Sequence, residues 1–256
     1  MSYIFKYSHR LIGGEKMRNI KDLPAWERLF KKIVWKQLGE IKNKNILDFG
    51  SGEGITSNYF AEFNRVVAIE PSEDMLKDAW TDHEYRQMIG DFKTLSEFVD
   101  NSFDIIVCHN VLEYIDDKAS VIRELTRVLK PGGYISLVKH NRNGRVMQMA
   151  VLLDELKKAN ELLNGEDSTA SKFGRIRYYE DYDVIRWSPD LYIDKIYGIR
   201  TFWDLQQNQE KHSNEEWQKK MIQLENRVSE MNDFINIAFF HHLIKHISLS
   251  HDLISY

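Results

Sequence analysis

Three glycines at alternate positions, Gly50, Gly52 and Gly54, stand close to two acids, Asp48 just before the run and Glu53 inside it. Ile46 and Leu47 lead in as the end of a buried strand, and Ile55, Tyr59 and Phe60 follow at helical spacing, so a helix begins near Gly54. A strand, a glycine turn and a helix build a nucleotide pocket, because glycine turns tightly and has no Cβ to hold a ligand away. Arg65-Val66-Val67-Ala68-Ile69-Glu70 is then an apolar strand ending in an acid. A carboxylate about 20 residues past a glycine turn lies beside a ribose and accepts from its hydroxyls. Dinucleotide sites read Gly-x-Gly-x-x-Gly and seat a pyrophosphate at the helix N-terminus. Here the run reads Asp-x-Gly-x-Gly-x-Gly, and its two acids suit an ammonium and a sulfonium better than a pyrophosphate. The cofactor expected is S-adenosylmethionine, with Asp48, Gly50, Ser51, Gly52, Gly54 and Glu70 as contacts. The competing reading is a structural turn with no ligand.

Further candidates stand at predicted strand ends. Asp91 follows Gly90, where its carboxylate can accept from an adenine amino group and the Phe92 N–H can meet a ring nitrogen; a helix-capping Asp is the alternative. His109-Asn110 ends the fourth strand, and side chains at the carboxyl ends of parallel strands face the ligand crevice. A satisfied buried histidine is the alternative there. Glu113 and Tyr114 read as packing and capping residues. Lys139-His140-Asn141-Arg142-Asn143-Gly144-Arg145 is either a floor for an anionic substrate or a solvated loop. Lys172, Arg175 and Arg177 beside Tyr178-Tyr179 mix bases with aromatics, as a nucleic-acid surface does. Arg200 follows the sixth strand, to grip a carboxylate with its planar fork or to pair with Asp204 at the surface. His241 and His242 point to opposite strand faces, and no histidine spacing suggests a metal.

The elements that carry these residues alternate. Helical patterns run from Pro24 to about Ile41, from Gly54, from Ser72 as N-cap, from Ser120 to the stop Lys130-Pro131-Gly132-Gly133, and from Asn214 to Met231. Strand patterns occupy 45–49, 65–70, 85–89, 103–108, 134–139, 191–199 and 235–247. Such alternation predicts an α/β fold with a parallel sheet and right-handed crossovers. It lapses from about 141 to 183, an insertion with a predicted helix over Val146–Leu163 and a polar, mobile stretch from Gly165 to Phe173. Residues 1–23 read as an arm or lid, and 24–256 as one domain. The chain has 256 residues, 43% hydrophobic and 29% charged, enough for a sizeable core. No apolar run of about 18 residues and no signal-peptide pattern occurs, so neither a membrane span nor export is expected. The single cysteine, Cys108, lies in an apolar strand and excludes an internal disulfide, and a cytoplasmic protein is expected. A net charge of −4 argues against non-specific nucleic-acid binding, though not against one basic face.

The glycine run resembles the first motif of class I methyltransferases. Val107-Cys108-His109-Asn110-Val111-Leu112-Glu113-Tyr114, Val128-Leu129-Lys130-Pro131-Gly132-Gly133, Asn141 to Met149 and Tyr197-Gly198-Ile199-Arg200-Thr201-Phe202-Trp203-Asp204 resemble the bacterial tRNA carboxymethoxyuridine methyltransferases. The likeness extends over about residues 24–250. It implies a Rossmann-like, seven-stranded class I sheet with helices on both faces and a helical insertion after strand five. It also implies transfer of a methyl group from S-adenosylmethionine to a carboxylate on a wobble uridine of tRNA. By resemblance Gly50 and Gly52 contact the cofactor, Glu70 is the ribose acid, His109 is a pocket histidine and Arg200 orients the acceptor. Phe30 falls near the position of the family's cofactor-binding arginine, with Arg28 two residues before it, and the arm and the insertion depart from the family pattern. A carboxylate needs no base; a hydroxyl acceptor would, and His109 is then the base. A small-molecule O- or N-methyltransferase and a cofactor-binding protein without turnover are the competing functions. A monomer or weak dimer is expected.

Overall fold

The computed structural model describes residues 18–170 and 174–247. After a 3₁₀ turn at Ile20–Asp22, α1 (Ala25–Leu38) precedes β1 (Asn45–Phe49), α2 (Ile55–Ala61), β2 (Arg65–Glu70), α3 (Glu73–Leu76), β3 (Arg86–Ile89) and β4 (Phe103–His109). Next come α4 (Lys118–Val128), β5 (Leu129–His140), α5 (Arg142–Met147) and α6 (Leu156–Leu163). A hairpin, β6 (Ser168–Ala170) and β7 (Gly174–Ile176), leads through α7 (Asp183–Trp187) to β8 (Leu191–Ile199). The chain closes with α8 (Glu215–Val228), α9 (Asn232–Ile235) and β9 (Phe240–Ile247).

The main sheet has the order β3-β2-β1-β4-β5-β9-β8. The strands from β1 to β5 run parallel, and β9 is inserted antiparallel between β5 and β8. The seven-stranded class I architecture is therefore present, as a mixed rather than a purely parallel sheet. The near-continuous apolar run Ile105-Ile106-Val107-Cys108 is buried on both faces, as a central parallel strand requires. One core layer packs Val121, Ile122, Leu125 and Val128 of α4 against the sheet. On the other face Leu29, Phe30, Ile33 and Val34 of α1 pack with Val138, Ile199 and Phe240. Burial of Cys108 raises its thiol pKa well above the ordinary range. Among the described residues no helix is long and apolar enough to cross a membrane.

Three boundaries differ from the sequence pattern. The stop after α4 holds, but β5 already begins at Leu129, which pairs with Phe103 before a register shift. A Cβ on Gly133 would lie 2.5 Å from the Asp104 carbonyl oxygen, so glycine permits that close approach. The single helix expected over Val146–Leu163 is broken. It starts at Arg142 with Asn141 as its cap, passes through a π-helical turn at Gln148–Leu152, and stops at Asp154, whose φ is +53°. Met149 is buried, but Leu153 and Leu156 are exposed, so the apolar residues never form one inward face. The last strand begins at Phe240, because Ile235 closes α9.

Candidate active site

The glycine turn leaves β1 with Gly50, Gly52 and Gly54 all at positive φ, the region that disfavours side chains. The space also excludes a side chain: a Cβ on Gly50 would lie 2.3 Å from Val111, and one on Gly54 2.1 Å from the Tyr85 hydroxyl oxygen. Glu70, at the tip of β2 and 8% exposed, accepts from the Gly52 N–H at 2.8 Å and the Ser72 N–H at 3.0 Å. Glu70 thus holds the turn from the end of β2. Asp48 lies beneath it, buried, accepting from the Ser57 hydroxyl at 2.6 Å. Burial raises its pKa, while Ser57 and the Lys31 ammonium oppose that rise. Asp48 supports the turn from inside. Asp91 caps its own 3₁₀ helix at Phe92–Glu97 by accepting from the Lys93 N–H at 2.8 Å, so its capping role is realised at an exposed position. Ser51 is half-buried in the turn.

Arg28, expected as a cofactor residue, lies on α1. Its guanidinium donates to Gln218 on α8 at 2.8 Å and to the Lys21 carbonyl at 3.1 Å, which ties α1 to α8. The expected arm lies mostly outside the described residues. Within them, the Arg18 N–H donates to Asp82 at 3.1 Å.

His109 ends β4 with its Nε2 2.7 Å from the Ser136 hydroxyl. Burial pushes its pKa well below the usual range, helped by His242 and Lys31, so the ring is neutral. Its Nδ1 and the neighbouring Asn110 Oδ1 are buried without a hydrogen-bond partner among the described residues. Asn110 has φ +56°, a strained setting for a side chain at a strand end facing the crevice.

Beyond β5 the basic run is neither a solvated loop nor an open floor. Lys139 is buried and ion-paired to Asp181 at 2.9 Å, over the Tyr179 ring. His140 sits against Phe239 and Phe240, and burial followed by Arg200 pushes it down to about 3. Asn141 donates to the carbonyls of Asn236 and Ala238. Arg142 donates to the Leu162 carbonyl at 3.1 Å. Arg145 donates to Gln148, and its Nε is buried without a partner among the described residues.

Arg200 is paired with Asp204, as the competing sequence reading had it, but the pair is buried rather than on the surface. The guanidinium donates twice to that carboxylate, with Nε to Oδ2 at 2.7 Å, and is 9% exposed between Trp26, Phe239 and Phe240. Its φ of +61° is held by the following turn, whose Thr201, Phe202 and Trp203 N–H groups all donate to the buried Glu225. Arg175 and Arg177 pair with Asp167 and Asp116, each at 2.9 Å, and Lys172 lies outside the described residues.

Sequence reasoning missed three acids. Asp181 bridges Lys139 and His241, each at 2.9 and 2.8 Å, so that burial's upward pull on its pKa is overcome. Glu113, read as a packing residue, is fully buried; it accepts from the His140 N–H, and burial raises it to about 7. Glu225 is the third. No spacing links these acids to their partners, so no local signal could have found them. His241 and His242 do point to opposite sides, toward Asp181 and toward Ser136.

Residues 47–137 match the model of a methyltransferase domain. Over 120 residues the chain is 32% identical to a ubiquinone biosynthesis O-methyltransferase of Pseudomonas entomophila, covering 44% of this chain and 51% of that one. The same enzyme of Hydrogenovibrio crunogenus is 31% identical over 126 residues, covering 47% and 52%. The chain spans about half the length of these curated relatives. An S-adenosylmethionine-dependent methyltransferase of Mesorhizobium loti superposes with a TM-score of 0.52 at 17% identity, over 89% of this chain and 99% of that one. One from Methanosarcina mazei gives 0.51 at 18% identity, over 83% and 96%. At such identities the two solved structures establish the fold alone, and the match to a methyltransferase domain is confined to residues 47–137.

Proposed function

We propose that this S-adenosylmethionine-dependent methyltransferase acts on a hydroxyl oxygen of a small aromatic acceptor. The cofactor, when bound, supplies a methyl group made electrophilic by its sulfonium. The residues fit it. Glu70 offers a fixed carboxylate to the ribose, the positive-φ glycines keep the turn free of side chains, and Asn110 Oδ1, without a partner among the described residues, is an acceptor for a ligand N–H.

One contrast carries the choice of acceptor. The arginine that a carboxylate acceptor would need, Arg200, is already engaged by Asp204, while His109 at the end of β4 keeps a ring nitrogen without a partner among the described residues. A hydroxyl needs a base and a carboxylate does not. The relatives' printed activity, O-methylation in ubiquinone biosynthesis, agrees with an oxygen acceptor. Positioning of the two reacting atoms contributes most, up to ~7–11 kcal/mol, and the base adds roughly 10²–10⁴-fold.

The second reading, a carboxylate on a modified uridine of tRNA, is favoured by the resemblance of the segments at 107–114 and 141–149. The pairing of Arg175 and Arg177 with acids weighs against it. Labelled methyl transfer to catechol and to undermethylated tRNA separates the two. Incorporation into catechol is expected, with His109→Asn slowing it roughly 10²–10⁴-fold. Incorporation into tRNA, undiminished in the variant, would move the assignment to the carboxylate.

A further inference from the structure

A chain of polar side chains crosses the apolar layer between α1 and the sheet. Gln37 Oε1 on α1 lies 2.8 Å from His242 Nδ1 on β9, whose Nε2 lies 2.8 Å from Ser136 Oγ on β5, which in turn lies 2.7 Å from His109 Nε2 on β4. Ser136 and His242 are 0% exposed. Such groups are costly in a core unless each bond is made, so the donors and acceptors must close.

They close in one direction. Gln37 Nε2 donates to the Gly198 carbonyl at 3.3 Å, so Oε1 faces His242 and can only accept. His242 Nδ1 therefore carries a proton. Burial lowers the His242 pKa to about 3, so the ring is neutral and its Nε2 is bare. The Ser136 hydroxyl then donates to His242 Nε2, and its oxygen accepts from His109 Nε2–H. His109 is neutral as well, which leaves its Nδ1 as a lone pair, the same nitrogen that is buried without a partner among the described residues. The reverse order would set Gln37 Oε1 against a bare nitrogen at 2.8 Å, two acceptors in contact.

We propose that Gln37, His242 and Ser136 are positioning residues that hold His109 in the Nε2–H tautomer, so that Nδ1 takes the proton of the acceptor hydroxyl; this rests on the hydroxyl reading above. The acceptor oxygen bonds to the methyl carbon, the carbon–sulfur bond breaks with its electron pair left on sulfur, and the hydroxyl proton goes to His109 Nδ1. The positive charge that enters on the sulfonium ends on the His109 imidazolium, whose Nε2–H stays on Ser136. The groups that face the two rings are Lys31 from α1, whose charge disfavours the imidazolium of His109, and Tyr197 from β8, its ring centroid 5.8 Å from that of His242.

The test uses the full chain, labelled with ¹⁵N-histidine and saturated with S-adenosylhomocysteine. Long-range proton–nitrogen spectra near neutral pH should show His109 protonated at Nε2 and bare at Nδ1. Gln37→Met, on a half-buried position, and Ser136→Ala should each convert His109 to a mixture of tautomers. Both should slow methyl transfer to catechol roughly 10-fold or more, part of the roughly 10²–10⁴-fold that a positioned base supplies, with S-adenosylhomocysteine affinity kept. A wild-type His109 bearing Nδ1–H, or a tautomer unmoved in both variants, would overturn the proposal. Absence of transfer to catechol by the wild type would sink the hydroxyl reading and the proton-accepting role with it, while the spectra still decide the tautomer.

Discussion

On the β1 to β3 side, the candidate groups come from short stretches at the strand tips, Asp48 to Gly54, Glu70 to Ser72 and Asp91. Beyond β4 they are assembled from His109, Lys139 to Arg145, Asp181, Arg200 and the start of β9. The first region is held by backbone: glycines at positive φ and a carboxylate bonded to amides. The second is held by charge pairs and rings drawn from distant parts of the chain. A cofactor shared by many enzymes can be served by a local motif, whereas an acceptor side is remade by whichever segments the fold brings to the strand ends.

Breaking the local region should produce the largest effect. Gly54→Ala puts a Cβ 2.1 Å from the Tyr85 hydroxyl at φ +70°. It should destabilise the protein by roughly 3 kcal/mol or more and weaken S-adenosylhomocysteine binding. Adding Tyr85→Phe removes the oxygen and should restore part of the loss; denaturant melts and calorimetry decide, and no rescue would mean that the clash is not the cause.

The assembled region should reveal itself through pH. Burial raises Glu113 from 4.5 to about 7. A raised carboxylate favours folding while protonated, so its contribution is full below about 4.5 and is lost as pH rises through about 7. Glu113→Gln keeps the neutral form. Urea melts should show the variant gaining on wild type across that window, by on the order of 3 kcal/mol. A pH-independent difference would place the effect in packing instead.

Glu70→Ala sharpens the contrast from the cofactor side. It removes one charge-assisted pair and should cost about 2 kcal/mol of S-adenosylhomocysteine affinity; unchanged affinity by calorimetry would remove Glu70 from the site. The smallest change is expected at the hairpin. Arg175→Ala and Arg177→Ala remove half-exposed to exposed ion pairs, so stability should move by less than about 0.5 kcal/mol and transfer to catechol should hold. A loss of binding to undermethylated tRNA in these variants would instead restore the nucleic-acid surface.

Legibility followed the same division. Strands at 45–49 and 65–70, the helix start at Gly54 and the cap at Ser72 all appear where the apolar periodicity and turn chemistry put them. The insertion was harder, because a left-handed Asp154 and a π-helical turn interrupt a pattern that reads as one helix. Arg28 illustrates the limit at the site. The family resemblance brought it forward, but only the folded chain shows its guanidinium donating to Gln218, 190 positions away.

The sequence by itself determined the α/β alternation, the glycine turn and the carboxylate at the end of β2, because each depends on backbone φ or on side-chain period within a few residues. The tertiary structure alone decided that Arg200 is engaged by Asp204 beneath aromatic rings, that Glu113 lies buried near neutrality, and that His109 connects through Ser136 and His242 to Gln37. Those properties arise from which segments meet in a low-dielectric layer. Hydrogen-bond direction and desolvation there depend on neighbours up to 205 positions away along the chain.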